Sequence, residues 1–255
     1  MACNNSEYFV GNGPLYIRRV GGDCAGPTEG FWPVGDAGEF SISNDQSFND
    51  HYESQTGART RAARWLESTS VEFSLQVFDF KLETLAALLQ GTQSAAVAAG
   101  SVAAEAITDA YEDQVFYVAF PGISAVTILD GATPLVEGTD FELVDSGRDG
   151  GIKIISGAPN FSAGNQLDVD YTHVGIEGSV SALTSGVEDY EIRFNGINLN
   201  NQNKPVIVNV KRAQFSAAEN ISLIGTDITE LTFTGAVLPD ANGDFYEIVK
   251  SNDVV

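Results

Sequence analysis

The stretch SVEFSLQVFDFKLETLAALLQG, residues 70–91, changes period in its middle. Over Ser70–Val77, the apolar Val71, Phe73, Leu75 and Val77 alternate with Ser70, Glu72, Ser74 and Gln76. Period two is the pattern of a strand with one buried face. From Asp79 the spacing becomes helical, with Leu82, Leu85, Ala86 and Leu89 on one side, Asp79 placed as N-cap and Gly91 as the stop. A strand running directly into a short helix at about 79–90 predicts a sheet with one helix packed against it.

Working outward, strand alternation dominates. EFSIS begins at Glu39 and PLYIRRV at Pro14. A dense run follows further on: QVFYVAF from Gln114, AVTIL from Ala125, FELV from Phe141, IKII from Ile152 and QLDVDY from Gln166. The last group is YEIRFNGI from Tyr190, PVIVNVKRAQF from Pro205, ELTFTGAVL from Glu230 and FYEIV from Phe245. GRDGG and DANGD punctuate these runs as turns. The fold class is therefore mainly β. The alanine-rich TQSAAVAAGSVAAEAITDA, residues 92–110, has helical propensity, but Gly100 and the lack of large apolar residues favour an extended linker. It leads into a self-contained set of β-hairpins. The expected organisation is a domain in two parts, 1–105 and 176–255, with a β-rich subdomain inserted at 106–175. No repeat of fixed period is present.

With 255 residues the chain can bury a large core. Its 13 Lys and Arg stand against 35 Asp and Glu, a formal charge of −22. Such a balance opposes nucleic-acid binding through phosphates and docking on anionic lipid. No run approaches the roughly 18 apolar residues that span a bilayer. The opening MACNNSEYFVGNG lacks a basic segment followed by an apolar one, so the protein is expected to stay in the compartment where it is made. Cys3 and Cys24, the two cysteines, are expected to be reduced.

Residues for catalysis are sparse. His51 and His173 are the two histidines, and no G-x-S-x-G elbow accompanies them. Paired-cysteine zinc spacings are absent. Asp240, Asn242 and Asp244 open like a calcium loop, but Phe245 stands where glycine is needed and Ser251 where a bidentate glutamate belongs. An Asn-Gly turn fits better. The reading is of a non-enzyme with no cofactor and no metal.

One concentration of charge stands out. NDHYESQTGARTRAARWLES, residues 49–68, places Arg59, Arg61 and Arg64 within six positions, beside Trp65.

Several phrases in fixed order resemble the major tail tube proteins of long-tailed, siphophage-type bacteriophages. They are GNGPLYI at Gly11, PVGDAGEFSIS at Pro33, the polar loop 44–66 through ESQTGAR, and SVEFSLQVFDFKLETLAALLQG. DYEIRFNGIN at Asp189, NKPVIVNVKRAQF at Asn203 and ITELTFTGAVLPD at Ile228 complete the series. The resemblance covers most of the chain and rests on the order of its elements. It implies a tail-tube-type β-sandwich or barrel with one flanking α-helix, six copies closing a ring around a shared inner β-barrel, and rings stacked into a hollow helical polymer. That polymer is the conduit for DNA ejection. Implied partners are further copies of the chain, the tail tip, tape measure and tail terminator proteins, and genomic DNA passing without specific binding, with no membrane. The implied location is the virion tail, assembled in the host bacterial cytoplasm. The 106–175 insertion departs from the smallest family members and would decorate the exterior.

Under that resemblance, parity assigns the channel side. If the apolar residues face the core, the lumen carries Glu39, Ser41, Ser43, Ser70, Glu72, Ser74 and Gln76. Asp189, Glu191, Arg193, Asn195, Asn209 and Lys211 join them from the later strand pair. The loop 44–66 would reach the neighbouring ring, with Arg59, Arg61 and Arg64 on acidic surface there and Trp65 as an apolar anchor. The alternative is a virion-surface β-sandwich adhesin or decoration protein that binds a receptor or glycan. It would call for clustered exposed aromatics, whereas Trp32 and Trp65, the two tryptophans, lie 33 positions apart.

Overall fold

The computed structural model describes residues 8–21, 25–55, 57, 59–79, 81–200, 203–218, 221, 224 and 230–251. Cys3 and Cys24 lie outside them, so the expectation about their redox state does too. The described chain is mainly β, with one α-helix. It divides into two compact units, the first formed by 1–93 with 180–255 and the second by 94–179.

The first unit opens with β1 (Gly11–Asn12), β2 (Leu15–Gly21), β3 (Ala25–Pro27), β4 (Trp32–Pro33), β5 (Ala37–Tyr52) and β6 (Arg61–Val77). Helix α1 (Leu82–Leu88) and β7 (Thr92–Gln93) follow. The second unit holds β8 (Gly100–Ile107), β9 (Val115–Tyr117), β10 (Ser124–Asp130), β11 (Thr133–Leu135), β12 (Phe141–Leu143), β13 (Gly151–Ile154) and β14 (Leu167–His173). The chain then returns to the first unit as β15 (Val180–Ser181), β16 (Asp189–Asn198), β17 (Lys204–Phe215), β18 (Leu231–Val237) and β19 (Tyr246–Lys250).

In the first unit ten strands form one sheet in the order β3-β2-β16-β17-β18-β6-β5, with β1 on β16, β4 on β2 and β19 on β17. The sheet is not closed into a barrel, because β3 and β5 end it with unpaired edges among the described residues. Alternation dictates its core. Val71, Phe73, Leu75 and Val77 of β6 are buried against Leu231, Phe233 and Val237 of β18, Ile192 of β16 and Val210 of β17. Phe73 meets Phe215 edge-on, with ring centroids 5.1 Å apart. It also lies over Gly235, its cross-strand partner, where a Cβ would stand 2.5 Å from the ring. Truncating Phe73 to alanine empties this position and is expected to cost about 3–5 kcal/mol of unfolding free energy, read from chemical denaturation.

Helix α1 is shorter than the expected 79–90. Its N-cap position is Lys81, which makes no side-chain capping bond, and Asp79 lies outside the helix with its carboxylate 3.5 Å from the Lys81 ammonium. The C-terminal stop is also shifted by one residue. Gln90 takes the left-handed conformation (φ 49°), and Gly91 N–H donates to the Ala86 carbonyl at 2.8 Å, a Schellman closure. Gly91 serves close approach instead: a Cβ there would lie 2.6 Å from the Ser181 carbonyl oxygen. Ala87 and Leu88 carry the helix into the core, with Leu85 and Leu89 half-buried beside them.

The second unit pairs a four-stranded sheet, β11-β10-β14-β8, with a three-stranded sheet, β12-β13-β9. Their shared core includes Ile128, Phe141, Ile152, Ile154, Leu167, Val169 and Tyr171. Its span of 94–179 differs from the expected insertion at 106–175, whose start falls inside β8. That alanine-rich strand is extended, as expected, but it belongs to a sheet and is not a linker: it pairs with β14 from Gly100↔His173 to Ile107↔Leu167.

Asp140 sits with no exposed surface in this unit. Its carboxylate accepts from Asn160 Nδ2 at 2.9 Å, Val136 N–H at 2.8 Å and Asn160 N–H at 3.1 Å. These bonds, the Asn160 side chain foremost, hold its pKa below the ordinary aspartate value. A lowered folded-state pKa means the unfolded chain binds the proton more readily. The stabilisation is complete above the ordinary value of about 4 and is lost as pH falls through the lower, folded value. Melting of this unit is therefore expected to move to lower temperature below about pH 4, and Asp140→Asn should flatten that dependence in thermal melts across pH.

Candidate functional site

The sheet of the first unit presents a polar face opposite its core. Across β5 and β6, Glu39 lies opposite Gln76, Ser41 opposite Ser74, Ser43 opposite Glu72, and Asp45 opposite Ser70. Across β6 and β18, Gln76, Ser74 and Glu72 lie opposite Thr232, Thr234 and Ala236. Ala236 opposes Gln214 of β17, and Gln214 opposes Asp189 of β16. Further along the same pair, Arg193 opposes Asn209. The register interrupts between Tyr190 and Ile192, so that Lys211 and Arg212 together stand opposite Glu191 at a β-bulge. Glu39, Ser41, Ser43, Ser70, Glu72, Ser74, Gln76, Asp189, Glu191, Arg193, Asn195, Asn209 and Lys211 thus share one face of one sheet.

The charge on this face differs from the expected excess of open acids. Asp189 is buried: Arg212 Nε and Gln214 Nε2 each donate to its carboxylate at 2.7 Å. Two longer neighbours fold over it, so it presents no open acid. Glu191 accepts from Arg18 Nε at 2.7 Å. Lys211 reaches Asp240 at 3.3 Å, and that hydrogen bond raises the lysine pKa. Arg193 donates to the amide oxygens of Asn195 at 2.8 Å and Asn209 at 3.2 Å. Arg18 and Arg212 are members of the face that alternation overlooked. On the β2-β16-β17 side every one of these cations is engaged. On the β5-β6-β18 side, Glu39 and Glu72 are exposed among serine and threonine hydroxyls.

The second feature corrects the expected loop at 44–66. β5 and β6 remain paired from Ala37↔Val77 to Tyr52↔Arg61, so this segment is the distal part of a long β-hairpin. Its tip is pinned by Glu53 N–H to the Thr60 carbonyl and Thr60 Oγ1 to Glu53 Oε1, both 3.0 Å. Bulges at Ser47/Phe48 and His51/Tyr52 shift its parity twice, and nearly every side chain on both faces is exposed. No apolar alternation marks it in sequence for that reason.

The expected contact residues of this arm separate by location. Arg61 and Arg64 both reach Asp50, at 3.2 and 3.6 Å, and Arg64 stacks its guanidinium 3.9 Å over the Phe48 ring. Arg59 lies exposed at the tip with φ 46°. Trp65 lies opposite Asn49, on the other face of the ribbon from Arg64, and is half exposed.

His51 is exposed on the arm, while His173, in the second unit, stacks on Phe120 at 4.1 Å and donates from Nδ1 to the Val174 carbonyl. The carboxylate of Asp240 accepts from the N–H groups of Asn242 at 2.8 Å and Asp244 at 3.0 Å, closing the Asn-Gly turn. Among the described residues no group of three or more His, Cys, Asp or Glu could hold a metal ion, and no helix is long and apolar enough to cross a membrane.

No match to the chain was found among curated proteins. A family described as "Protein of unknown function UCP028589" matches residues 8–244. That match runs through both units and takes in the polar sheet face and the arm, and the chain belongs to this family.

Proposed function

We propose that the protein is a structural subunit that polymerises, and specifically the tube-forming subunit of a siphophage-type tail, six copies to a ring, with rings stacked around a channel for DNA. The observation that carries the reading is the sheet of the first unit: apolar on one side, hydrophilic on the other, and open at both ends. Unpaired strand edges invite association, and closure across copies removes them. A wall built from the polar face offers DNA hydroxyls, amides, open glutamates and cations already engaged. Tight polyanion binding requires cations free to neutralise phosphates and release counterions. Arg18, Arg212 and Lys211 are instead held by Glu191, Asp189 and Asp240. Such a wall lets DNA slide. The tail tip, tape measure and terminator proteins are the partners this role requires, and the virion tail is its location.

Negative-stain electron microscopy of the purified protein tests the proposal. Long hollow tubes of uniform diameter are the expected result. Discrete particles at every concentration would overturn it and favour the surface adhesin.

A further inference from the structure

The first unit contains an apolar groove of about 380 Å³. Phe40 and Ile42 of β5, Phe194 of β16, Val208 of β17, and Tyr246 and Ile248 of β19 line it, with Glu39 also on its wall. The strands that bound it, β5 and β19, each pair on one side only among the described residues. Ile248 is 56% exposed inside it. Its size and lining suit an apolar guest.

The arm carries matching surface. Register places Phe48, Tyr52 and Leu66 on one side of the ribbon, together with Asp50, Arg61 and Arg64. Those three apolar side chains are 40%, 49% and 50% exposed. A two-stranded ribbon bare on both faces is marginal in water until something covers it.

We infer that the Phe48–Tyr52–Leu66 stripe on the arm of one copy seats in the apolar groove of a second copy. This rests on the self-assembly proposed above and names the receiving surface. The arm cannot fill its own groove. Phe48 lies six residues beyond Ile42 on the same continuous strand, about 20 Å away at the rise of a β-strand, and folding back would break the β5–β6 ladder. Charge selects another copy as the occupant. Residues 50–64 hold three arginines against Asp50 and Glu53, net +1, in a chain whose total is −22. The distal arm is thus a part of the molecule that another copy's acidic body attracts.

Disulfide trapping tests the inference. Leu66→Cys and Ile248→Cys are made as separate single variants in a Cys3→Ser, Cys24→Ser background, then mixed under assembly conditions and oxidised. A 66–248 disulfide between chains is expected, identified by mass spectrometry of the linked peptides, because a disulfide needs Cα atoms within about 7 Å. Phe48→Cys with Ile42→Cys samples a second point of the same contact. Normal tubes with neither linkage would overturn the inference and leave the tube intact. Linkage in oligomers that are not tubular would uphold the contact and overturn the tube. Failure of the unsubstituted protein to associate at all would overturn both.

Discussion

Replacing Arg59, Arg61 and Arg64 together with serine is expected to yield a folded protein that no longer polymerises. None of the three belongs to the hydrophobic core. The ion pairs of Arg61 and Arg64 with Asp50 are exposed on the arginine side, each guanidinium side chain being 49% accessible. Pairs of this kind contribute about 0–1 kcal/mol each, and the Arg64–Phe48 stack about 0.5–1 kcal/mol. The melting temperature of the isolated subunit should therefore move by only a few degrees. Assembly responds differently. The substitutions change the charge of residues 50–64 from +1 to −2, counted over Arg59, Arg61, Arg64, Asp50 and Glu53. In the proposed polymer an arm of that charge would meet a strongly acidic neighbour at every repeat. Sedimentation and microscopy should find monomer at concentrations where the unsubstituted chain is expected to form tubes, while circular dichroism stays unchanged. Normal tubes would refute the role. Asp50→Asn separates two explanations. It removes the acceptor within the arm and raises the distal charge to +2, so tubes should persist if the arginines act on another copy. If they serve only to order their own arm, this variant should fail as the triple variant does.

The parts of the fold legible in sequence are those with one wet and one dry face. β6 and β18 alternate because each is buried on one side only, and the polar side of Ser70, Glu72, Ser74 and Gln76 follows from that. Where both faces are wet, period two carries no apolar signal, and the distal parts of β5 and β6 read as a loop. β8 was obscured for a related reason: alanine is small enough to lie in a strand without announcing which side is buried. The charge state of the polar face was the least legible property. Asp189 and Glu191 look like open acids along the chain, and only the cross-strand registers bring Arg212 and Arg18 to them. Arg18 is 173 residues from Glu191 in sequence, so no local pattern could have revealed the pair.

Replacing residues 95–178 with Asn-Gly is expected to leave the first unit folded and able to assemble. The junction is already closed. β7 and β15 pair with Gln93 opposite Val180, and just beyond them Ser94 N–H donates to the Ser179 carbonyl and Ser179 N–H to Ser94 Oγ, both at 2.9 Å. A two-residue Asn-Gly turn closes on a hydrogen-bonded antiparallel pair such as Ser94–Ser179, its positive φ angles matching the twist of the strands. The first unit loses no member of its core cluster, because every residue of that cluster lies outside 94–179. The isolated 94–179 segment has fifteen buried apolar residues of its own. It should unfold cooperatively by calorimetry, with an enthalpy near the ~0.7 kcal/mol per residue typical of small domains. The shortened chain should melt in a single transition and, under the proposed function, form tubes of unchanged bore, because the polar face lies wholly on strands of the first unit. Loss of folding in the shortened chain would mean that the second unit completes the first. Intact folding with loss of tubes would mean that assembly contacts run through the inserted unit, which would move the interface away from the arm and the open sheet edges.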